Sequence, residues 1–297
     1  MKVVGSINMD VVVEVERAPE AGETVLGSDY RLHPGGKGAN QAVAAARLGA
    51  AVEMIGCLGR DAYGDTLYGA LRGEGLVLDS LHRVTQPTGA AFITVEHSGQ
   101  NRIVVSPGAN AALTSPRLPH DLERTDWLLM QLEVPIDTVR MAAGRVRSGG
   151  GRVVLNAAPA MALPAELSGA LDYLVVNETE AGELLEAPAP ADQAQALQAA
   201  ERLRNAESTV IVTLGDRGAV WAGPEGGGQV DAYEVDVVDT TACGDSFVGT
   251  LVWALSENMP LAQAMKLASA AGALTATRAG AQPSLPDLNE LRRFASV

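Results

Sequence analysis

A three-layer α/β/α fold on one mainly parallel sheet, with a small β-sheet lid, is what this sequence predicts, and three observations carry it. Short apolar runs alternate with helical stretches along most of the 297 residues. These runs are continuous, as strands are when helices cover both faces of a sheet. Two stretches, 11–34 and 87–106, instead alternate apolar and polar residues, and alternation implies one wet face.

Taken in order, "MKVVGSINMD" predicts a strand over 2–8. It carries no charged leader or small-residue cleavage site, which predicts a cytoplasmic protein. A helix from Gly38 to Leu48, closed by Gly49, precedes a strand at 52–57 and a helix near 64–73. The strand "DWLLMQL" at 126–132 leads to a helix near 136–147. "RVVLNAA", "DYLVVN", "TVIVTLG" and "GAVWAG" continue the rhythm, most of them separated by helical stretches, while "PEGGG" at 224–228 reads as a turn. This βα alternation is the mark of an open parallel sheet. Residues 1–10, 35–86 and 107–297 are therefore expected to form the core. Residues 11–34 and 87–106 form the lid, the second as a hairpin turning at Ser98–Gly99. Hinges are expected near Asp10, Gly35 and Gly108.

Acidic residues outnumber basic ones 36 to 22, a net charge of −14. That argues against a sequence-independent nucleic-acid binder, which needs a basic face. Cys57 and Cys243 are too few for a disulfide framework and fit a reducing compartment. No window has the length and apolarity of a membrane span. Only three lysines occur, and one, Lys37, sits in the glycine-rich "PGGKGAN".

That stretch is not a P-loop: the motif needs glycine at 31 and Ser or Thr at 38, where the chain has Arg31 and Gly38. What remains is a glycine turn into a helix, with Lys37 and Asn40 near its start, where a ligand could approach the backbone closely. Helix docking alone would also explain the glycines. Asn8 and Asp10 lie two apart at the end of the first strand, on one side, where open α/β sheets bind ligands. An amide and a carboxylate suit sugar hydroxyls, though a turn bonded to its own backbone is the alternative. "NETE" reads as a capping box with Asn177 as N-cap and Glu180 three residues on, or as a pair ordering magnesium-bound water near a phosphate. In "VVDTTACGDSFVG" a helix opening near Ala242 leaves the amides of Ala242, Cys243 and Gly244 pointing at one spot. That spot is at the positive end of the helix dipole, with Asp245 beside it. Asp245 could merely offset the dipole. Together the four motifs hold the inventory for phosphoryl transfer to a hydroxyl: polyol-binding side chains, an amide cradle and a base.

The full set, "GSINMD", "AGETV", "GGKGANQAVAAARLGA", "LLMQLE", "LNAAPA", "NETEA", "TLGDRGA", "DTTACGDSF" and "TRAGAQPS", closely resembles the ribokinase-like carbohydrate kinases over essentially the whole length. The resemblance implies an ATP-dependent kinase of a sugar, the 5-hydroxyl of D-ribose being the expected acceptor. It implies a ribose set of Asn8, Asp10, Gly36, Lys37, Asn40 and Glu133, with Asp245 as base. The amides of 242–244 are implied as an anion hole, and Asn177 and Glu180 as the magnesium and phosphate motif. It further implies that Thr213, Leu214, Gly215, Asp216, Arg217 and Gly218 line the nucleotide, with Ser269 near adenine. Asp239, Thr241, Thr275, Arg278, Gly280 and Ser284 are implied as a potassium loop, mostly through carbonyls. A homodimer through paired lids is also implied.

One departure stands out: the family usually has Gly-Ala-Gly-Asp where this chain has Ala242-Cys243-Gly244-Asp245. The hole is backbone and the residues are small, so activity is expected to survive. A thiol so placed predicts sensitivity to oxidation or alkylation. Another sugar or a nucleoside as acceptor, and a non-catalytic sugar sensor, stay open. A dinucleotide oxidoreductase lacks its G-x-G-x-x-G turn after the first strand.

Overall fold

The computed structural model describes residues 1–98 and 100–295. Its strands are β1 (Lys2–Val4), β2 (Asn8–Val15), β3 (Arg31–Gly35), β4 (Glu53–Gly59), β5 (Leu81–Val84), β6 (Gly89–Glu96), β7 (Asn101–Ser106), β8 (Trp127–Met130), β9 (Arg152–Asn156), β10 (Tyr173–Asn177), β11 (Thr209–Thr213), β12 (Ala219–Gly223) and β13 (Gly226–Val230). Its α-helices are α1 (Lys37–Arg47), α2 (Ala62–Gly73), α3 (Ile136–Ser148), α4 (Ala165–Ser168), α5 (Glu178–Leu184), α6 (Gln193–Leu203), α7 (Cys243–Ser256), α8 (Leu261–Ala276) and α9 (Leu288–Ala295).

Nine strands form the main sheet in the order β13-β12-β11-β10-β9-β8-β1-β4-β5. All pairings from β11 through β5 are parallel, and β12 and β13 add an antiparallel edge. The continuous apolar runs are explained by where alternate residues go. Val3, Leu129 and Val154 pack into one core with α1, α2, α7, α8 and α9. Val4, Leu128, Met130, Val153 and Leu155 pack into a second, on the other face, with α3, α4, α5 and α6. A strand wetted on neither face has no polar phase, so its sequence does not alternate. The chain leaves β1 to one side for β4 and to the other for β8, which makes the carboxyl end of β1 the switch point where such sheets bind ligands.

Four strands form a separate sheet, β3-β2-β6-β7, with β2 parallel to β6 and the other pairs antiparallel. The expected hairpin is β6–β7; Gly99, half of its predicted turn, lies outside the described residues.

Three expectations are corrected. The single strand over 2–8 is two: β1 stops at Val4, and β2 opens at Asn8 in the small sheet. Between them the Asn110 side chain accepts from the Ile7 amide at 2.9 Å and donates to the Ile7 carbonyl at 3.3 Å, taking the place of a strand partner. Asn8 and Asp10 therefore start a small-sheet strand; they still share a face. Within 11–34 only the ends are strand, since Pro19, Gly22 and Gly27 punctuate the middle, where Ser28 donates back to Glu14 at 2.8 Å. The "PEGGG" turn is half strand: Gly226–Gly228 belong to β13, paired with β12.

Candidate active site

Two adjoining cavities lie at the carboxyl ends of the main strands, and Lys37 lines both. One, of 400 Å³, is bordered by Asn8, Asn110 and Glu133. The other, of 220 Å³, is bordered by Asn156, Asn177, Glu180, Thr213, Ala242, Gly244 and Asp245. Thr213 and Asn177 share it because β10 and β11 end in register there.

The glycine turn sets the approach of α1. Gly36, at φ 91°, caps the helix, and a β-carbon on it would lie 2.7 Å from the Asn8 nitrogen. Only glycine serves where the turn is left-handed and pressed on another backbone. Lys37 follows as the first helical residue. Burial works against its ammonium, but Asp245, Glu133, Glu180 and Asp10 outweigh that and hold the amine above its ordinary value. Glu133 is fixed by the Ser6 hydroxyl at 2.5 Å and the Lys37 amide at 3.3 Å. Asn110 donates to the Asn8 side-chain oxygen at 2.7 Å. Burial pushes Asp10 up to about 7; Glu133 and Asp245 add to the effect and Lys37 opposes it.

Asp245 sits in the first turn of α7 and is 8% exposed. Asn40 donates to its Oδ2 at 2.9 Å, and Gln41 to its Oδ1 at 2.9 Å. The N-cap Ala242 is left-handed at φ 60°, and the first intrahelical amide bond is from Ser246 to the Ala242 carbonyl. The amides of Ala242 and Gly244 bond to nothing among the described residues. That of Cys243 reaches the Thr240 carbonyl at 3.3 Å, so it is not wholly free as expected. A β-carbon on Gly244 would meet open space, which leaves the amide row accessible.

Of the two readings of "NETE", the capping box is the one seen. Asn177 and Glu180 form the reciprocal capping box, each bond at 2.8 Å. The box uses only Oε2 of Glu180 and leaves Oε1, beside the cavity, without a partner among the described residues. Burial pushes Glu180 up, against the pull of the Asn177 amide and Lys37. Among the described residues no group of three or more His, Cys, Asp and Glu side chains could hold a metal unaided. Magnesium carried on phosphates keeps most of its water and needs only one or two carboxylates, which Glu180 fits.

Other expected nucleotide residues have their side chains engaged elsewhere. Leu214 is in the core. Arg217 pairs with Glu178 at 3.3 Å and bonds the Ala191 carbonyl. At Gly218, φ 81°, a β-carbon would lie 2.0 Å from the Val230 carbonyl, so the glycine is demanded by β13 itself. The Ser269 hydroxyl donates to the Asp231 carbonyl at 3.0 Å. Gly215 and Asp216 are exposed on the turn after β11.

Of the six residues expected of a cation loop, Asp239, Thr241 and Gly280 are joined directly. Asp239 Oδ1 accepts from the Thr241 amide and hydroxyl, and its Oδ2 from the Gly280 amide at 2.8 Å. Burial works to raise Asp239, but these bonds outweigh it and hold the carboxyl below its ordinary value. Arg278 pairs with Glu290, while the Thr275 and Ser284 hydroxyls bond the Ala271 and Ala281 carbonyls. The Arg278 guanidinium offers a cation no lone pair, while the two hydroxyls, donors here, keep oxygen lone pairs in addition to their backbone carbonyls.

The surroundings of Cys243 weigh against the expected sensitivity of its thiol. Burial pushes its thiol up to about 12, with Asp239 and Asp245 adding to the effect. Less thiolate is present at neutral pH, partly offset by the greater nucleophilicity of a more basic thiolate, so Cys243 should alkylate roughly 10–100-fold more slowly than an ordinary thiol. Intact mass and turnover after iodoacetamide treatment check this; rapid modification with loss of activity would refute it.

Residue reasoning passed over Ser6, Gln41, Asn110, Asn156 and Gln282. Four of them stand in the quoted motifs and Asn110 stands outside them, and the roles of all five appear only once distant segments meet.

The model of the pfkB family carbohydrate kinases matches residues 1–288. The chain is 41% identical over 300 residues to the ribokinase of Haemophilus influenzae, spanning 99% of this chain and 97% of that one. The ribokinase structure from Thermotoga maritima superposes with a TM-score of 0.91 at 36% identity, over 100% of this chain and 99% of that one. An Arabidopsis thaliana ribokinase structure complexed with ribose and ATP superposes with a TM-score of 0.92 at 32% identity, over 100% and 98%. With its two-faced parallel sheet, its helix-terminal aspartate and this full-length match, the chain belongs to the pfkB family of carbohydrate kinases.

Proposed function

We propose that this protein transfers the γ-phosphoryl group of ATP to the 5-hydroxyl of D-ribose, giving ribose 5-phosphate and ADP. The observation that carries the reading is Asp245, a buried carboxylate held by Asn40 beside unpartnered amides at a helix start. Full-length likeness to ribokinases supports ribose as the acceptor.

Asn8, Asp10, Asn40, Glu133 and the backbone at Gly36 hold the sugar. The 5-oxygen attacks the γ-phosphorus, the bond to the ADP oxygen breaks, and Asp245 takes the hydroxyl proton. Phosphoryl transfer has a loose transition state, so the proton moves late and the carboxylate chiefly aims the hydroxyl. The amides of Ala242, Cys243 and Gly244 cradle the migrating group, Cys243 giving up its long bond to Thr240. Lys37 supplies positive charge between the sugar and phosphate cavities. Thr213 to Gly218 border the nucleotide, largely through backbone, with α8 at Ser269 behind it.

Magnesium on the nucleotide would offset phosphate charge, its water ordered by Asn177 and Glu180. Potassium among the carbonyls of the Asp239–Thr241 and Thr275–Ser284 segments would steady the anion hole. The small sheet acts as a lid that excludes water, which competes with ribose for ATP. Its exposed Leu32, Phe92 and Val104, brought to one side by their cross-strand register through Val11, form an apolar face whose burial against a second copy gives a homodimer. Among the described residues no helix is long and apolar enough to cross a membrane, and we place the enzyme in the cytoplasm, where ATP is made available. The test is ADP release with ribose and ATP, with and without magnesium and potassium; no release above background refutes the reading.

Sugar affinity should depend on pH through Asp10. A charged carboxylate accepts hydroxyl hydrogen bonds more strongly than a neutral carboxyl. Below about 7, where Asp10 gains its proton, the ribose KM should rise, approaching about tenfold per pH unit for a single group. Asp10→Asn should give a high KM that no longer responds to pH in this range. The unliganded fold behaves oppositely. Because the folded value is raised from 3.8 to about 7, the stability this group contributes is present below 3.8 and lost as pH rises to about 7. A flat ribose KM from pH 5.5 to 8 would remove Asp10 from the sugar site.

A further inference from the structure

Gln41 is wholly buried and touches neither cavity, yet it bonds the base directly. Its Nε2 donates to Asp245 Oδ1 at 2.9 Å and to Asn156 Oδ1 at 2.9 Å. Its Oε1 accepts from Gln131 Nε2 at 2.6 Å, and Gln131 is also wholly buried. Asn156 in turn donates to the Val175 carbonyl at 3.2 Å. The direction of this amide chain is not arbitrary. A carboxylate and a peptide carbonyl can only accept, so each end forces the orientation of the amides between them. Both hydrogens of the Gln41 amide are thereby used.

Packing brings Gln41 to this place. On α7, one turn beyond Asp245, a β-carbon on Gly249 would lie 2.6 Å from the Gln41 carbonyl and 2.6 Å from the Ala44 β-carbon. Helix α1 can rest against α7 only because that side chain is missing. Asn40, the neighbour of Gln41, holds the other oxygen, Oδ2, and itself accepts from Gln282 at 3.3 Å.

We infer that Gln41, backed by Gln131 and Asn156, is a positioning residue for the phosphoryl-transfer step, an inference that rests on the reading of Asp245 as base. It anchors Oδ1 toward the interior, so that Oδ2, on the Asn40 side, is the oxygen that receives the hydroxyl proton. A carboxylate that must aim a hydroxyl rather than ionise it gains from such a tether, because misplacement by about 1 Å costs on the order of 10²-fold in rate.

The experiment is steady-state kinetics of Gln41→Leu, Gln131→Met and Asp245→Asn, alone and combined, with ribose and ATP. Gln41→Leu should lower kcat by about 10–100-fold while the ribose KM stays within about threefold, since the residue does not touch the sugar. In the Asp245→Asn background the same substitution should cost almost nothing further, because its effect passes through that carboxylate. Gln131→Met should show the same pattern more weakly, and it decides the matter should Gln41→Leu not fold. Wild-type protein that releases no ADP with ribose removes the functional reading and this inference with it. An active wild type with unchanged kcat in Gln41→Leu overturns only the inference. Equal losses in both backgrounds do the same, since they mark a general packing defect.

Discussion

Asp245→Asn is expected to bind ribose nearly as the parent does and to lose turnover by about 10²–10⁴-fold, roughly 3–5 kcal/mol of barrier. The substitution keeps the shape of the side chain and the bond from Asn40 can survive on the amide oxygen, so the sugar cavity is undisturbed. What is lost is a proton acceptor at the start of α7. Gln41 is then faced with a donor where an acceptor stood, unless the new amide turns its oxygen inward. Stability should fall by about 1–3 kcal/mol, because the new amide has one acceptor oxygen for two buried donors, Asn40 and Gln41. Rapid-quench measurement of ribose phosphate and isothermal titration with ribose separate the two effects. Near-normal kcat would take the role of base away from Asp245. A tenfold or greater loss of ribose affinity with kcat retained would make it a sugar ligand only.

What could be read from the chain and what could not divides along distance in sequence. The strands feeding the main sheet were legible because burial on both faces leaves long apolar runs such as "WLLM" and "TVIVT". The break between β1 and β2 was not, since its cause is Asn110, 103 residues away. Strand β13 was hidden by "GGGQV", whose glycines carry no β-propensity. In the site, Lys37, Asn40, Asn177 and Asp245 could be named from local motifs because each stands at a turn or a helix start. Gln41 stands beside Asn40 in the same motif and gave no signal. Its partners lie 90, 115 and 204 residues away, and on its own it looks like any polar residue of a helix. Gly218 has a reason that local sequence could not show: the close carbonyl of Val230 requires a glycine there, whatever else the turn borders.

Lys37→Met should lower kcat/KM for ATP by about 10²–10³-fold, roughly 3–4 kcal/mol. The residue stands at the first position of α1, where the helix dipole disfavours a cation and the first turn carries no acid to compensate. Its position is therefore set by the cavities and not by the helix. It forms no ion pair among the described residues, but the charges of Asp245, Glu133, Glu180 and Asp10 all bear on it. An incoming triphosphate brings further negative charge into that group, and Lys37 is the positive side chain common to both cavities. Without it, phosphate meets four carboxylates and the neutral amides of α7. The unliganded protein should register the same change. Because the folded value of Lys37 is raised, its contribution to stability is complete below 10.5 and is lost only as pH rises through that raised value. The parent thus keeps the whole of it at pH 8. In Lys37→Met the carboxylates repel one another uncompensated at pH 8, and protonation of Asp10 and Glu180, both raised, relieves this, so the deficit in Tm should shrink toward pH 5. A variant with unchanged kcat/KM for ATP would show that the buried ammonium serves the fold and not the phosphate. A Tm deficit independent of pH would show that packing, rather than charge, is what Lys37 contributes there.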